Sequence, residues 1–256
     1  MVVGSLNEIK QRVKKSGNTY FVMRHGECVG NTQNIVNSDN SIENHLTEKG
    51  AQQVHDTAKA LSGTYDLIVT SPITRSMETA AIVRTDLGIV AENVVDDRIA
   101  EVHFGGFNNR PREEYVSAFA DLKARTHESP EGVETWHEVR LRVGAFMSDL
   151  ESQYANKRIL IVTHDTPAFI LLSVARGEST HTAIDNNPTI YQDLHFKNAE
   201  VRAVDFSPLP LNAQYELDLH RPYTDNLILI GDDGEEYTRI PEVVACWVES
   251  GSMPFA

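Results

Sequence analysis

Two histidines occupy equivalent positions in this sequence, each directly after a short apolar run typical of a β-strand. His25 follows the run 19–23 and Arg24, and His164 follows the run 158–163. Imidazole titrates near neutral pH, so its neutral form can act as a nucleophile and its protonated form as a cation. The guanidinium of Arg24 has the planar fork that binds phosphate oxygens. These residue types favour chemistry on a phosphate group.

The elements that must position these histidines alternate between strand-like and helix-like segments. Apolar runs of strand type lie at 66–70 and 158–163, whereas residues 47–61 and 136–154 carry apolar side chains at helical spacing. Such alternation predicts an α/β protein, a three-layer α/β/α sandwich with a mainly parallel sheet. Ligands of these folds bind beyond the carboxyl ends of the strands. Both histidines are therefore predicted at the functional edge.

Several further elements follow from local pattern. Residues 28–46 are rich in Asn, Ser and Asp and predict a loop, as do the glycines and asparagines of 104–111. Ser71 and Thr166, each followed by proline, are predicted to cap helices. The remaining predictions are helices at 5–15 and 112–125, an extended segment at 94–102 and a strand at 201–206.

The pattern breaks at the proline-rich stretch 207–210, which predicts a boundary between residues 1–207 and residues 208–256. Beyond it, 226–230 and 236–240 are predicted to pair around the glycine-containing turn 231–234. The second segment would therefore form a small C-terminal β appendage, partly unpacked, on the larger α/β domain.

Four motifs, in chain order, resemble the signature of the histidine phosphatase superfamily, which includes the phosphoglycerate mutases. The motifs are Arg24-His25-Gly26-Glu27 with Asn31, the run 71–80 containing Arg75, the run 97–105 containing Glu101, and the run 161–164 ending in His164. They extend over roughly residues 18–206. Their order along the chain and their place at predicted strand ends make the resemblance specific.

The resemblance implies phosphoryl transfer through a phosphohistidine on His25. One ring nitrogen would be held by a backbone carbonyl while the other attacks phosphorus in line. Glu101 would protonate the leaving oxygen and then activate water for hydrolysis. No metal and no cofactor are required. The predicted activity is that of a histidine acid-type phosphatase, a phosphoric monoester hydrolase acting on a small phosphorylated substrate.

The same resemblance implies the phosphate-binding groups. Arg24, Arg75 and the amide of Asn31 would hold the phosphate oxygens, and His164, if protonated, would add a third cation. Asp165 departs from the family, which commonly has glycine there. Its carboxylate would raise the pKa of His164 if it approached the ring, or repel an anionic substrate if it pointed into the pocket. The segment 103–133 holds no rich basic cluster, which favours a phosphatase over the alternative, a mutase-type phosphotransferase.

Two stretches near the end, 216–223 and 239–256, resemble isoleucyl-tRNA synthetase. The two signature motifs of class I synthetases are absent, so this chain is not expected to aminoacylate by itself. The resemblance suggests an insertion in, or fragment of, a synthetase, with the rest of that enzyme and its tRNA as partners. A noncatalytic insertion that positions phosphate or tRNA is the alternative. Residues after about 240 are expected to be mobile or nonnatively packed.

Composition restricts the remaining possibilities. The 256-residue chain has a formal net charge of −14, which disfavours broad nonspecific binding to nucleic acid. No apolar run reaches the roughly 18 residues needed to span a bilayer, so no membrane partner is expected. Cys28 and Cys246 are the two cysteines. This usage predicts a cytoplasmic protein without disulfides.

Overall fold

A computed structural model describes residues 5–90, 93–186 and 196–240. Its main sheet has five strands in the order β3-β2-β4-β1-β5. The strands are β1 (Thr19–Arg24), β2 (Leu67–Thr70), β3 (Asn93–Val95), β4 (Arg158–Thr163) and β5 (Val201–Val204). Strands β1 to β4 pair in parallel, and β5 pairs antiparallel with β1. The mainly parallel sheet is as predicted.

Helices cover both faces of this sheet, which confirms the three-layer sandwich. The helices are α1 (Leu6–Arg12), α2 (Val29–Thr32), α3 (Glu48–Ala60), α4 (Thr74–Asp86), α5 (Arg112–Ser117), α6 (Trp136–Gln153), α7 (Asp165–Arg176) and α8 (Thr180–Asp185). Alternate strand residues point to opposite layers. Ile159 and Ile161 pack with the α6–α7 layer, whereas Leu160 and Val162 pack with α3 and α4. The sheet is therefore buried on both faces.

Some predicted helix caps are wrong. Ser71 does not cap α4, which begins at Thr74 without a side-chain cap, because the Ser71 hydroxyl contacts His164 instead. Thr166 does not cap α7, which begins one residue earlier after His164. Thr47 does cap α3, since its hydroxyl accepts a hydrogen bond from the Gly50 N–H. For Ser71, the side chain at the functional edge of the sheet makes another contact in place of the cap.

The segment between β3 and α6 is more broken than predicted. The extended run predicted at 94–102 ends at Val95 and turns into a 3₁₀ helix, Asp97–Ile99. The helix predicted at 112–125 is α5 followed by a separate 3₁₀ helix, Lys123–Thr126. The loop predicted at 28–46 contains the short α2. These breaks place side chains of the segment around one pocket, as described below.

The C-terminal segment forms the predicted β appendage in a shorter version. β6 (Leu229–Ile230) pairs antiparallel with β7 (Glu236–Tyr237). The Lys14 N–H donates to the Ile228 carbonyl at 2.8 Å, so the hairpin is joined to the end of α1. The predicted mobility after residue 240, together with most of the stretch 239–256 that resembles the synthetase, lies outside the described residues. The boundary at residue 207 stays a prediction.

Candidate active site

The first predicted residue, His25, directly follows β1 and is buried, with 2% of its surface exposed. Its backbone N–H donates to the Thr163 carbonyl at 3.0 Å, which extends the pairing between β1 and β4 by one residue. Its Nδ1 lies 2.7 Å from the Gly26 carbonyl oxygen. A carbonyl only accepts, so Nδ1 carries the proton and Nε2 presents a lone pair. This is the arrangement predicted for an attacking imidazole.

The lone pair of His25 is held by Arg75, whose Nε donates to His25 Nε2 at 3.0 Å. Burial, followed by the nearby charges of Arg75 and Arg24, lowers the pKa of His25 well below its ordinary value. The imidazole is therefore neutral and nucleophilic at neutral pH. For Nε2 to attack phosphorus, its hydrogen bond with Arg75 must first break. The freed Arg75 N–H can then donate to a phosphate oxygen.

The guanidinium of Arg75 is positioned by Asn37, a residue that the sequence did not single out. Arg75 NH1 donates to the Asn37 side-chain oxygen and NH2 to the Asn37 carbonyl, both at 2.8 Å. Asn44 donates to the same side-chain oxygen at 3.1 Å. Both asparagines are buried. The loop that follows the first motif therefore orients the arginine of the second.

The two other predicted phosphate binders also line the pocket. Arg24 is buried and donates from NH1 to the Phe196 carbonyl at 2.6 Å, while its Nε has no partner in the described part of the chain. The Asn31 side-chain oxygen accepts from the Cys28 N–H and from the Asn198 amide, both at 3.1 Å. Because the oxygen is held in this way, the Asn31 amide nitrogen is the atom left to donate to a ligand.

The second histidine, His164, lies between β4 and α7, with its ring centroid 5.2 Å from that of His25. Burial, then Arg75 and His25, lower its pKa well below the ordinary value. In the unliganded site His164 is therefore neutral, so the condition for a third cation, a protonated His164, is not met there, and its pKa is not raised by Asp165. That carboxylate accepts a hydrogen bond from the Phe196 N–H at 2.8 Å. Asp165 does line the pocket.

The predicted general acid, Glu101, lines the same pocket as His25. Burial raises its pKa to about 7, against the opposing effects of Arg75 and of the Val102 N–H, which donates at 3.0 Å. A carboxylic acid that titrates near 7 can both release and accept a proton at neutral pH. Among the six residues predicted from sequence, Glu101 is the one with the pKa of an acid–base catalyst.

Arg142 holds the backbone around Glu101, and the sequence did not reveal this role. Its NH1 donates to the Arg98 and Ala100 carbonyls at 2.7 and 2.8 Å, and its NH2 to the Glu101 carbonyl at 3.2 Å. Its Nε forms an ion pair with Glu134 at 2.6 Å. The helical spacing of α6 shows which of its faces is apolar, but it does not show that a polar residue reaches across to a loop.

The loop after His25 also depends on two glycines. A Cβ atom on Gly26 would lie 2.5 Å from the Gly50 carbonyl oxygen, and one on Gly50 would lie 1.9 Å from the Glu27 carbonyl oxygen. Both distances are shorter than real contacts allow, so α3 can approach the loop only because both residues lack a side chain. This contact supports the backbone that carries the nucleophile.

Five of the six predicted site residues line one pocket of about 340 Å³. The sixth, His164, is buried with its ring next to that of His25. That volume suits a small molecule. Among the residues that the structure describes, no group of three or more His, Cys, Asp or Glu side chains is arranged to hold a metal ion. No described helix is both long and apolar enough to cross a membrane.

The fold and the site together define a phosphoryl-transfer type of α/β protein, and comparison of the sequence identifies the family. A model of the histidine phosphatase superfamily (branch 1) matches residues 20–208, and the chain belongs to that superfamily. The uncharacterized phosphatase PhoE of Bacillus subtilis is 28% identical over 157 residues, which are 61% of this chain and 76% of that protein.

Solved structures show the same fold at low sequence identity. YhfR of Bacillus stearothermophilus superposes with a TM-score of 0.60 at 19% identity, over 89% of this chain and 98% of that one. The mycobacterial glucosyl-3-phosphoglycerate phosphatase, in complex with VO3, superposes with a TM-score of 0.57 at 18% identity, over 72% of this chain and 91% of that one. These likenesses support the fold.

A second relationship covers a short stretch. The isoleucine–tRNA ligase of Deinococcus radiodurans is 61% identical over 41 residues, which are 16% of this chain and 4% of the ligase. The ligase of Leifsonia xyli is 50% identical over 56 residues, 20% of this chain and 5% of that protein. The chain thus spans a very small part of the ligases that it resembles.

Proposed function

We propose that this chain is a phosphatase that hydrolyses small phosphate monoesters through a phosphohistidine on His25, without a metal ion. The observation that carries the proposal is the state of the His25 ring. Its Nδ1–H is fixed by the Gly26 carbonyl, and its Nε2 lone pair faces the guanidinium of Arg75. A buried, neutral, oriented imidazole beside a phosphate-binding group is prepared for attack on phosphorus.

The first step transfers the phosphoryl group to the protein. Nε2 of His25 attacks phosphorus as the bond to the ester oxygen breaks, and the electron pair of that bond leaves with the oxygen. Glu101, protonated below its pKa of about 7, gives its proton to the leaving oxygen. Arg24 and Arg75 stabilise the charge that spreads over the other phosphate oxygens.

The second step returns the free enzyme. The Glu101 carboxylate accepts a proton from a water molecule, and the water oxygen attacks the phosphorus of phospho-His25. The nitrogen–phosphorus bond breaks, its electron pair returns to Nε2, and inorganic phosphate leaves. Hydrolysis therefore requires one residue that cycles between acid and base, which the environment of Glu101 provides.

The similarity to the phosphatase PhoE supports phosphatase activity over mutase activity.

The test is release of phosphate from an aryl phosphate in the presence of a metal chelator, with wild type, His25→Ala and His55→Ala compared. His55 is a partly exposed histidine paired with Asp86 and does not line the pocket. We expect release by wild type and by His55→Ala, and loss in His25→Ala. Equal release by both variants would contradict the proposal.

We propose, second, that this chain is encoded as part of a polypeptide with isoleucine–tRNA ligase sequence. The support is the 61% identity over 41 residues to a curated ligase. An antibody against residues 5–90 should detect, in denatured extract of the native cells, a band much larger than this chain. A band at the mass of this chain alone would contradict the linkage. The net charge of −14 disfavours a role as a tRNA clamp.

A further inference from the structure

A second pair of arginines lines the pocket: Arg112 at the start of α5 and Arg125 in the 3₁₀ helix Lys123–Thr126. The helix predicted at 112–125 is broken between these elements, and the break allows both arginines to line the pocket. In the described part of the chain neither forms an ion pair with a carboxylate. Arg24 and Arg75, the arginines proposed to bind the scissile phosphate, line the same pocket.

Arg125 is packed for recognition of a planar or anionic group. Its guanidinium carbon lies 4.9 Å from the ring centroid of Tyr115, 5.5 Å from that of Phe119 and 5.9 Å from that of Trp136. Its Nε is buried with no hydrogen-bond partner in the described chain. Stacked rings fix the plane of a guanidinium and exclude water from its faces, while its N–H groups still seek an acceptor.

Neighbouring arginines show how different this pair is. Arg98, Arg110 and Arg142 each form at least one ion pair with an acidic side chain. The chain carries 37 acidic residues against 23 basic ones, so acidic partners are in excess. Arg125 is partly buried, and a guanidinium in that position without a carboxylate is costly unless a ligand supplies the anion.

We propose that Arg112 and Arg125 bind a second anionic group of the substrate, a carboxylate or a second phosphate carried by the leaving group. The proposal rests on the proposed function, since it places the scissile phosphate at His25. The pocket lining also includes Phe104 and Tyr115, whose ring centroids are 4.9 Å apart. The substrate class is therefore a phosphate monoester with a mainly apolar body between two anions.

The test compares two isosteric substrates, 4-carboxyphenyl phosphate and 4-carbamoylphenyl phosphate, which differ in one negative charge. We expect wild type to prefer the carboxylate at least about tenfold in kcat/KM, which corresponds to one charge-assisted hydrogen bond. Arg125→Met and Arg112→Met should each reduce this preference, mainly through KM for the carboxylate. Arg112 is exposed, so its replacement leaves the fold intact.

Arg158→Met is the matched control. Arg158 also stacks on two rings, at 4.5 Å from Phe21 and 4.8 Å from Tyr65, but it does not line the pocket. The wild-type preference should persist in this variant. An equal preference for both substrates by wild type, or an unchanged preference in both pocket variants, would overturn the proposal. Hydroquinone bisphosphate, tested against the same variants, distinguishes a second phosphate from a carboxylate.

Binding separates this proposal from the proposed function. Calorimetry of the two aryl phosphates with the His25→Ala chain measures affinity without turnover. The second anion site is supported if His25→Ala binds the carboxylate compound more tightly than the carbamoyl compound and if this difference disappears in His25→Ala/Arg112→Met. This result would hold even if wild type hydrolyses neither compound. Equal affinities for the two compounds would overturn it, even if wild type is an active phosphatase.

Discussion

The hydroxyl oxygen of Ser71 lies 2.8 Å from Nε2 of His164. Ser71 Oγ also accepts a hydrogen bond from the Ile73 N–H at 3.3 Å, which leaves its own proton available for the imidazole. We infer that Nε2 of His164 accepts that proton and that Nδ1 carries the ring proton. Nδ1 is buried without a partner among the described residues. His164 is therefore prepared to donate a neutral hydrogen bond to a phosphate oxygen.

Ser71 is accordingly a positioning residue. Ser71→Ala should lower kcat on an aryl phosphate by roughly tenfold, because one hydrogen bond of about 1–2 kcal/mol no longer selects the tautomer. Ser76→Ala should have a smaller effect, since Ser76 Oγ lies 3.3 Å from the same nitrogen. Nitrogen NMR of the His164 ring should show the Nδ1–H tautomer in wild type and a mixture in Ser71→Ala. Identical spectra for the two proteins would refute this role.

The pH dependence of kcat/KM should reflect Glu101. Its pKa is raised to about 7 by burial, and the protonated form is needed to protonate the leaving oxygen. Activity should therefore fall as pH rises through about 7. On the acid side, the lowered pKa of His25 keeps its imidazole neutral below the pH at which an ordinary histidine takes up a proton, so the loss of activity that histidine protonation would cause is shifted to lower pH. In Glu101→Gln the fall near 7 should disappear together with most of the activity. A fall that persists in this variant would assign it to another group.

The same carboxylate should cost stability at high pH. A glutamate whose folded pKa is raised stabilises the fold below its unfolded pKa of about 4.5, and that contribution is lost as pH rises through about 7. In urea unfolding at pH 8, Glu101→Gln should therefore have a free energy of unfolding about 1–3 kcal/mol higher than that of wild type. At pH 5 the difference should be much smaller. Glu113→Gln, on the exposed side of α5, is the control. A gain that does not change with pH would contradict the assignment.

Arg140 ties the C-terminal segment to α6. Its Nε donates to the Gln214 carbonyl at 2.6 Å, its NH1 to Ser173 Oγ at 2.9 Å and its NH2 to the Tyr215 carbonyl. It is 1% exposed, and burial lowers its pKa to about 10.

Arg140→Met should lower the free energy of unfolding by about 2–4 kcal/mol, because it leaves buried carbonyls unpaired. It should also speed proteolysis between residues 208 and 217. Arg176→Met removes a more exposed arginine paired with Glu178 and should change both quantities little. Equal stability of Arg140→Met and wild type would show that this contact does not hold the segment.

The sequence predicted the parts of the site that local pattern determines. His25 and His164 follow apolar runs long enough to be buried strands, and parallel pairing of β1 with β4 brings them to one edge. For the two histidines to meet, β1 and β4 need only be neighbours in the sheet, as they are. The resemblance then added Arg75 and Glu101, which local pattern alone does not relate to the histidines.

The rest depends on contacts between distant segments. Asn37 and Arg75 are hydrogen-bonded although they are 38 positions apart in the sequence, and Arg142 is 41 positions from Glu101, whose carbonyl it contacts. No periodicity records such a contact. The protonation state of His164 could not be predicted from its neighbours in sequence for a related reason, since burial by the surrounding layers, rather than the adjacent Asp165, is the main cause of its lowered pKa.

The proposed mechanism forms a covalent bond between phosphorus and His25, and trapping that bond tests the mechanism most directly. The protein is mixed with excess aryl phosphate, quenched within milliseconds in alkali, where phosphoramidates survive, and its peptides are analysed by mass spectrometry. We predict a phosphoryl group on the peptide that contains His25, located on that residue, and none in His25→Ala. A phosphoryl group on another side chain, or undiminished turnover by His25→Ala, would contradict the account.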